Sequence, residues 1–510
     1  MPGRPGRSVV RRPPPRPGVA ACETPAFLPV QGAGRQPDAA GVSDTHAGAA
    51  ADRCHAESHA PVPRCAAADP AATRPPSARG LNRNADVRVC FIHQNMPAQY
   101  RHLIGALLAR GDEVVAIGER DAVLRWGARH ARLSTLGYRL PDAVAQTAVP
   151  PRLRELHLQT ARGAAVAQAL QALKKDGLRP DVVVVHPGWG EALYVRSELP
   201  DVPLLGYCEF FYRADGADVG FDPEFPSGPE AIRQLQLRKA PHLLALEDID
   251  AGVCPTEWQR AQFPAAYQPK LAVVHEGVDT DAVRPDPAAR LQLDGLELRR
   301  GDPVVTYVAR NLEPYRGFHV FMRSLPLLQR LAPQARVVVV GGDEVSYGQR
   351  LPAGESYRAH LMRELEGRVD WGRVHFLGRV PYAQYLRVLQ VSAVHAYLTY
   401  PFVLSWSLLE AMSAGCCVVG SRTPPVEEAI RDGHNGRLVD FFDPEGLARR
   451  LADALADGPA LQPLREAARQ TVVEGYDLRR RCLPAGLALI DRLAARGPVP
   501  PTPPASGRHP

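Results

Sequence analysis

No stretch of this 510-residue sequence approaches the roughly 18 consecutive apolar residues that a membrane-crossing helix needs. A helical integral membrane fold is therefore excluded. The nine cysteines include no pairs at metal-ligand spacing, which argues against a structural zinc module. A reduced, cytoplasmic compartment is the expected setting. An excess of one charge is confined to the start of the chain. The first 85 residues hold 11 Arg and 6 acidic residues, so most of the net charge of +6 lies there. The remainder is nearly neutral, a poor footprint for nucleic-acid binding. That leading segment, rich in Pro, Ala and Arg, has almost no aromatic residues and no periodicity, so residues 1–85 are expected to be disordered. It also lacks the continuous apolar core of a signal peptide, and export is not expected. The folded pattern starts abruptly at Val87, which fits either a transit peptide or a start codon assigned too far upstream.

From Val87 onward, short apolar runs alternate with amphipathic segments. Val87 to Ile92, Glu113 to Ile117, Val182 to Val185, Pro203 to Tyr207, Ala251 to Cys254 and Leu271 to His275 read as strands. Four consecutive valines at 182–185 suit a parallel strand buried on both faces. Ala161 to Lys175 reads as a helix closing at Gly177. The second half repeats the scheme, with strands near 304–308, 336–340, 374–377, 393–398 and 416–420. The expected fold class is α/β, with two doubly wound Rossmann-like domains facing each other across a cleft. The expected boundaries are 86–280 for the first domain and 281–475 for the second. A crossover helix at 476–496 and a loose tail at 497–510 follow. Residues 280–302, polar and proline-containing, read as the hinge region. Cys416 and Cys417, adjacent in a strand, should point to opposite faces.

Ligands of doubly wound sheets bind beyond the carboxyl ends of the strands, and the chemistry-bearing motifs lie there. Pro401-Phe-Val-Leu-Ser-Trp-Ser-Leu-Leu-Glu410-Ala-Met-Ser-Ala-Gly415 reads as a loop, a helix with one acidic residue, and a glycine stop. A carboxylate near a helix start, beside loop amides able to face an anion, suits a nucleotide-sugar. Read alone, Glu410 fits that role or that of a solvated helix residue. Upstream, Arg310-Asn-Leu-Glu-Pro-Tyr-Arg316-Gly317 follows a strand. Two guanidiniums on one turn can grip a diphosphate bidentately, or simply be solvated.

Together these motifs resemble the donor half of glycosyltransferase family 4, retaining enzymes of GT-B architecture. Glu276-Gly-Val-Asp279, Gly341-Gly342-Asp343 and Gly433-His-Asn-Gly436 are similar to further landmarks of that family, in its order. The resemblance covers roughly residues 87–490. It implies that Arg310 and Arg316 hold the diphosphate, that Glu410 holds the ribose, and that the amides of Val403, Leu404 and Ser405, with Gly341 and Gly342, complete the donor site. The departing diphosphate then needs no metal, since fixed donors converge on it. No cofactor is implied beyond the nucleoside-diphosphate sugar substrate. The implied reaction moves a hexose to a glycan, lipid-linked or small-molecule acceptor. The sequence departs from the family at Phe402, where the first of two glutamates eight apart is expected. Arg316 also stands where Lys is usual.

In the first half, His186 and Glu209 each follow a strand and are the acid/base and acceptor-side candidates. Each also fits a plain role, as a loop histidine or a helix-start cap. Gln99 and Arg101 in the first loop are candidates for contact with the donor phosphates or the acceptor. Asp248-Ile-Asp250 has the spacing of a metal-binding pair, but no further oxygen ligands lie nearby in sequence, so no metal site is expected. A basic face for peripheral membrane association cannot be located from sequence. Two other activities fit the same pattern: a nucleotide-sugar epimerase of the same fold, and a binding homologue without catalysis, to which Phe402 points.

Overall fold

The computed structural model describes residues 87–214, 217–293 and 295–495. The expectations for residues 1–85 and 497–510 lie outside this range. The first lobe is built on a parallel sheet of seven strands. These are β1 (Arg88–Ile92), β2 (Glu113–Glu119), β3 (Leu133–Tyr138), β4 (Val182–Val185), β5 (Leu204–Tyr207), β6 (Ala251–Cys254) and β7 (Leu271–Val273). Their spatial order is β3-β2-β1-β4-β5-β6-β7. The valine run of β4 occupies the centre of the sheet with every residue buried, because β-branched side chains pack well on both faces of a pleated surface.

Residues 280–302 are more ordered than a polar hinge. They hold β8 (Arg290–Leu293) and β9 (Leu296–Arg299), an antiparallel pair. The second lobe follows, a parallel sheet of β10 (Val304–Asn311), β11 (Arg336–Gly342), β12 (Val374–Phe376), β13 (Val394–Tyr397), β14 (Cys417–Ser421) and β15 (Arg437–Val439). Its order, β12-β11-β10-β13-β14-β15, again reverses the strand order beside the first strand. Cys416 packs into one apolar cluster and Cys417 into another on the opposite side of the sheet, as strand alternation requires.

Three elements depart from the sequence pattern. Strand β3 lies at the sheet edge, where only Tyr138 is buried, so it has no apolar run to betray it. The helix expected from Ala161 starts earlier, at Arg154. The last helix is interrupted: a π-turn at Leu478–Cys482 precedes the helix Leu483–Ala495. That helix returns to the first lobe, where Leu489, Ile490 and Leu493 join the core beside Val89 and Phe91. Asp491 takes both Nη atoms of Arg110 at 2.8 Å.

The segment after β5 spans the two lobes. Phe210 belongs to the second lobe's core. Asp218 accepts from the Tyr315 hydroxyl at 3.2 Å, and Asp222 accepts from Tyr400 at 2.7 Å and faces His319 Nε2 at 3.1 Å. Glu224 pairs with both Nη atoms of Arg323. From the other side, the Glu428 carboxylate accepts the amides of Glu257 and Trp258 at 2.8 and 2.7 Å. Polar contacts on opposite flanks thus hold the carboxyl edges of the sheets toward each other.

Gly277 sits where the C-terminal segment docks, next to the bridge between Val278 and Asp477. Its φ is +89°, and a Cβ there would lie 2.6 Å from Leu478 Cα. Both features penalise any side chain. Gly277→Ala is expected to cost more than about 1 kcal/mol of stability, read as a lower urea midpoint; an unchanged midpoint would show that this junction yields freely.

Candidate active site between the lobes

Three loops of the second lobe meet at the carboxyl edge of its sheet. The turn after β10 carries Arg316, which is buried although charged. Burying a guanidinium demands partners. Arg316 Nη1 donates to Thr399 Oγ1 and to the Val403 carbonyl, both at 2.9 Å. Its guanidinium carbon lies 5.6 Å from the Tyr347 ring centroid and 5.8 Å from that of Phe402. The turn after β10 is thereby tied to the loop after β13 and to the loop after β11.

Glu410 lies within the helix Trp406–Ser413 rather than at its start. The Tyr382 hydroxyl donates to one carboxylate oxygen at 2.8 Å and the Tyr385 hydroxyl to the other at 2.6 Å. These bonds orient the carboxylate.

The amide expectations need correction. The Ser405 N–H donates to the Tyr397 hydroxyl at 2.9 Å, so it is engaged within the protein rather than offered to an anion. Its side chain caps the helix through the Ser407 amide. Val403 contributes its carbonyl to Arg316, and Leu404 is buried in an apolar cluster. Gly341 and Gly342 end β11, and a Cβ on Gly341 would lie 2.8 Å from the Ala309 carbonyl oxygen. The basin beside them is lined by Asp343, Glu344, Glu355 and Arg379, an acidic surround that does not suit a diphosphate.

Phe402, at the position of the missing glutamate, is packed among Phe210, Tyr315 and Tyr347, with ring centroids 4.9, 5.5 and 4.8 Å away. An aromatic wall that includes Phe210 from the first lobe thus replaces a carboxylate.

Sequence reading overlooked Glu313, on the same turn as the arginines. It is fully buried, with one oxygen accepting the Tyr347 amide at 2.7 Å and the other unpartnered. Burial pushes its carboxyl up to about 8 against the pull of the Tyr347 amide and Arg316. Its only sequence signal was an acidic residue inside the arginine motif.

Across the cleft, the ends of β1, β4 and β5 bring together His93, His186 and Glu209. His186 Nε2 lies 3.5 Å from Glu209 Oε2, and Gln99 Nε2 donates to Glu209 Oε1 at 3.3 Å. Gln99 therefore serves Glu209 directly. Arg101 begins the helix Arg101–Arg110. Burial raises the Glu209 carboxyl, but His186, Gln99 and Arg310 outweigh it, leaving it below its ordinary range. Arg310, near the end of β10, acts on this first-lobe carboxylate from the second lobe. His93 is a second omission of the sequence reading; it is buried beside His186, with ring centroids 5.5 Å apart.

The Asp-x-Asp pair has a structural role. Asp250 accepts from Arg196 and from the Leu204 amide, both at 2.7 Å, and the Asp248 carbonyl accepts from Arg196. Asp222, Glu224 and His319 also cluster, but their carboxylates are engaged by Tyr400, His319 and Arg323, as described for the lobe contacts.

Comparison with known proteins agrees with this geometry. Residues 110–283 match the model described as glycosyl transferase family 4 group, and residues 292–471 match that of glycosyl transferases group 1. The chain belongs to glycosyltransferase family 4. Among curated family relatives, the GDP-mannose-dependent alpha-(1-6)-phosphatidylinositol monomannoside mannosyltransferase of Mycolicibacterium smegmatis is 27% identical over 252 residues, covering 49% of this chain and 63% of that protein. The D-inositol 3-phosphate glycosyltransferase of Streptomyces coelicolor is 30% identical over 231 residues, covering 42% and 49%. The matched region thus spans 49 to 63% of these relatives' length. Among solved structures, sucrose-phosphate synthase from Thermosynechococcus elongatus aligns with TM-score 0.60 at 20% identity, covering 80% of this chain and 100% of that one. HepE of Anabaena in complex with UDP aligns with TM-score 0.56 at 15% identity, with the same coverages. At such identities these two establish the shared fold.

Glu313 makes a prediction about pH. Its folded-state value of about 8 lies above the ordinary 4.5, so its contribution to stability is complete below about 4.5 and is lost as pH rises toward 8. Glu313→Gln should lessen the fall in unfolding free energy over that window, by a few kcal/mol at most. Denaturant titrations at pH 5 and 8 that show the same difference for variant and wild type would contradict it.

Proposed function

We propose that this protein is a metal-independent, retaining glycosyltransferase that moves a hexose from a nucleoside-diphosphate sugar to a lipid-linked, glycan or small-molecule acceptor. The observation that carries this reading is the convergence of the β10 turn and the Glu410 helix at one sheet edge, with Glu209 and His186 on the edge opposite. As the bond between anomeric carbon and diphosphate breaks, negative charge accumulates on the leaving group. Arg310 and Arg316 supply fixed positive charge on that side, and preorganised charge in a closed cleft is worth more than in water. Glu410, held by two tyrosines, suits the paired hydroxyls of a ribose. Lobe closure would shield the donor from hydrolysis.

The named substrates of relatives support the donor class: one uses GDP-mannose, and HepE was solved with UDP. They also favour a polyol-phosphate or lipid-linked acceptor. Among the described residues no helix is long and apolar enough to cross a membrane. Access to a lipid-linked acceptor would therefore come by association at the membrane surface. Phe402 favours one rival, a nucleotide-sugar-binding homologue without transfer activity. Release of free diphosphate nucleotide from a nucleotide-sugar panel separates the two.

Glu410→Ala is expected to remove charge-assisted bonds worth about 1.5–3 kcal/mol. That is roughly a 10- to 150-fold weaker nucleotide affinity by calorimetry; wild-type affinity would refute the ribose role. The double variant Arg310→Ala/Arg316→Ala should lower turnover by about 100-fold or more. Full turnover would remove the diphosphate grip from the account.

A further inference from the structure

A small recess opens where the loops after β4 and β5 meet the helix Pro229–Asp248. Its walls include His186, Glu209, Tyr212, Arg238, Lys239 and His242. This is the carboxyl edge of the first-lobe sheet, where ligands of doubly wound folds bind.

Arg238 and His242 are one turn apart on the helix and so share a face. The Arg238 guanidinium carbon lies 4.0 Å from the Tyr212 ring centroid and 5.7 Å from that of Trp189. Aromatic faces attract a cation, yet they leave the in-plane N–H groups of its fork to find acceptors elsewhere. Arg238 Nη2 finds none: it is buried without a hydrogen-bond partner. His242, only 6% exposed, repeats the pattern. Its ring packs on Phe211 and Phe263, with centroids 5.1 and 5.6 Å away, and its Nε2 is also unpartnered. Burial, with His186 and Arg238 adding to it, lowers this ring to about 3, so it is neutral and can present an N–H. Buried groups without partners carry a desolvation cost, and two of them beside one recess require an explanation.

The charges indicate what fills the gap. Arg238 and Lys239 bring two positive charges, and among the described residues neither has an ion-pair partner. Two acids lie near. Glu209 faces His186 Nε2 and accepts from Gln99. Asp218, a buried carboxyl that feels Arg238, accepts from the Tyr315 hydroxyl and forms no ion pair with the guanidinium. A neutral hydroxyl could take one of the free bonds but would leave the charge uncompensated. An oxyanion meets both needs, and two cations suit a phosphate.

We propose that this recess is a subsite for a phosphate group, held by the Arg238 fork with Lys239 and His242, and that the acceptor of the transfer reaction is a phosphorylated molecule. The acceptor claim rests on the transferase reading, whereas the anion site does not. A phosphate seated here lies on the first-lobe side of the cleft, beside Glu209, so the rest of the acceptor can extend toward the donor. A soluble polyol phosphate and a lipid headgroup present the same oxygens, and the experiment separates them.

The full chain is titrated with inorganic phosphate by calorimetry, against chloride at equal ionic strength. Arg238→Met keeps bulk against Tyr212 but removes the fork, and should weaken one phosphate-binding event by about tenfold or more. Binding at the second-lobe arginine turn is common to both proteins, so the difference reports the recess. No phosphate binding by the wild type, or an isotherm unchanged by the substitution, would overturn the site whether or not the protein transfers sugar. Should Arg238→Met fail to fold, Arg238→Lys carries the comparison, with a loss of at least about threefold expected and no loss overturning the site. In turnover, kcat/KM is measured for glucose and glucose 6-phosphate, for myo-inositol and its 3-phosphate, and for vesicles carrying phosphatidylinositol or a neutral glycosyl diacylglycerol. A preference for the soluble phosphates assigns a free phosphomonoester, and one confined to vesicles assigns a headgroup. In either case Arg238→Met should shrink that preference at least tenfold. A wild type that favours the neutral member of each pair, or equal losses for both members, would end the acceptor claim and make Arg238 a support for Tyr212. If phosphate binds at Arg238 but no nucleotide-sugar is consumed, the transferase reading fails and the anion site stands.

Discussion

A guanidinium withdrawn from water must find acceptors, and Arg316 finds them on a different loop from its own. Its bonds to Thr399 and the Val403 carbonyl fix the loop after β13 against the turn after β10. Much else in the second lobe follows from that pairing. The loop it holds leads directly into the helix bearing Glu410, so the carboxylate inherits a defined place relative to the arginine turn. Glu313, on the same turn, fixes the loop after β11 through the Tyr347 amide. One short turn thus organises three loops at the edge where a ligand of this fold class is expected.

The first lobe solves a different problem, that of keeping ionisable groups useful while buried. Backbone amides accept no ambiguity: by donating to Nδ1 of His93 and His186 they decide which nitrogen holds the proton. Glu209 remains ionised because His186, Gln99 and Arg310 together outweigh its burial. Glu191 shows the opposite outcome nearby, its buried carboxyl pushed up to about 7 despite Arg162 and the Tyr138 hydroxyl. The difference between the two is the number of donors and charges within reach, which is a property of loop geometry.

Much of the fold was legible in the sequence because parallel sheets write themselves as unbroken apolar runs. The β4 valines and the β10 and β11 strands could hardly be read otherwise. β3 was not legible, since an edge strand exposes most of its residues. The β8–β9 pair, two strands of four residues each that alternate leucine with polar residues, was hidden by its shortness. In the site, Arg316 and Glu209 were visible as charged residues soon after strands, and Glu410 as the one acidic residue of an apolar helix. Their partners were not: Tyr382 and Tyr385 sit 28 and 25 residues from Glu410, and no local pattern links them. The partner of the Ser405 amide was hidden for the same reason, because the Tyr397 hydroxyl that engages it is brought there only by folding. His93 follows β1 just as His186 follows β4, and the same signal was passed over there.

The central claim is that the two lobes face one nucleoside diphosphate, with guanidiniums on the phosphates and Glu410 on the pentose. A crystal structure of the full chain with a bound nucleoside diphosphate tests this most directly. The account predicts phosphate oxygens within hydrogen-bond distance of Arg310 and Arg316, and ribose hydroxyls on the Glu410 carboxylate. A nucleotide seated elsewhere, or one whose phosphates point away from the turn after β10, would contradict it.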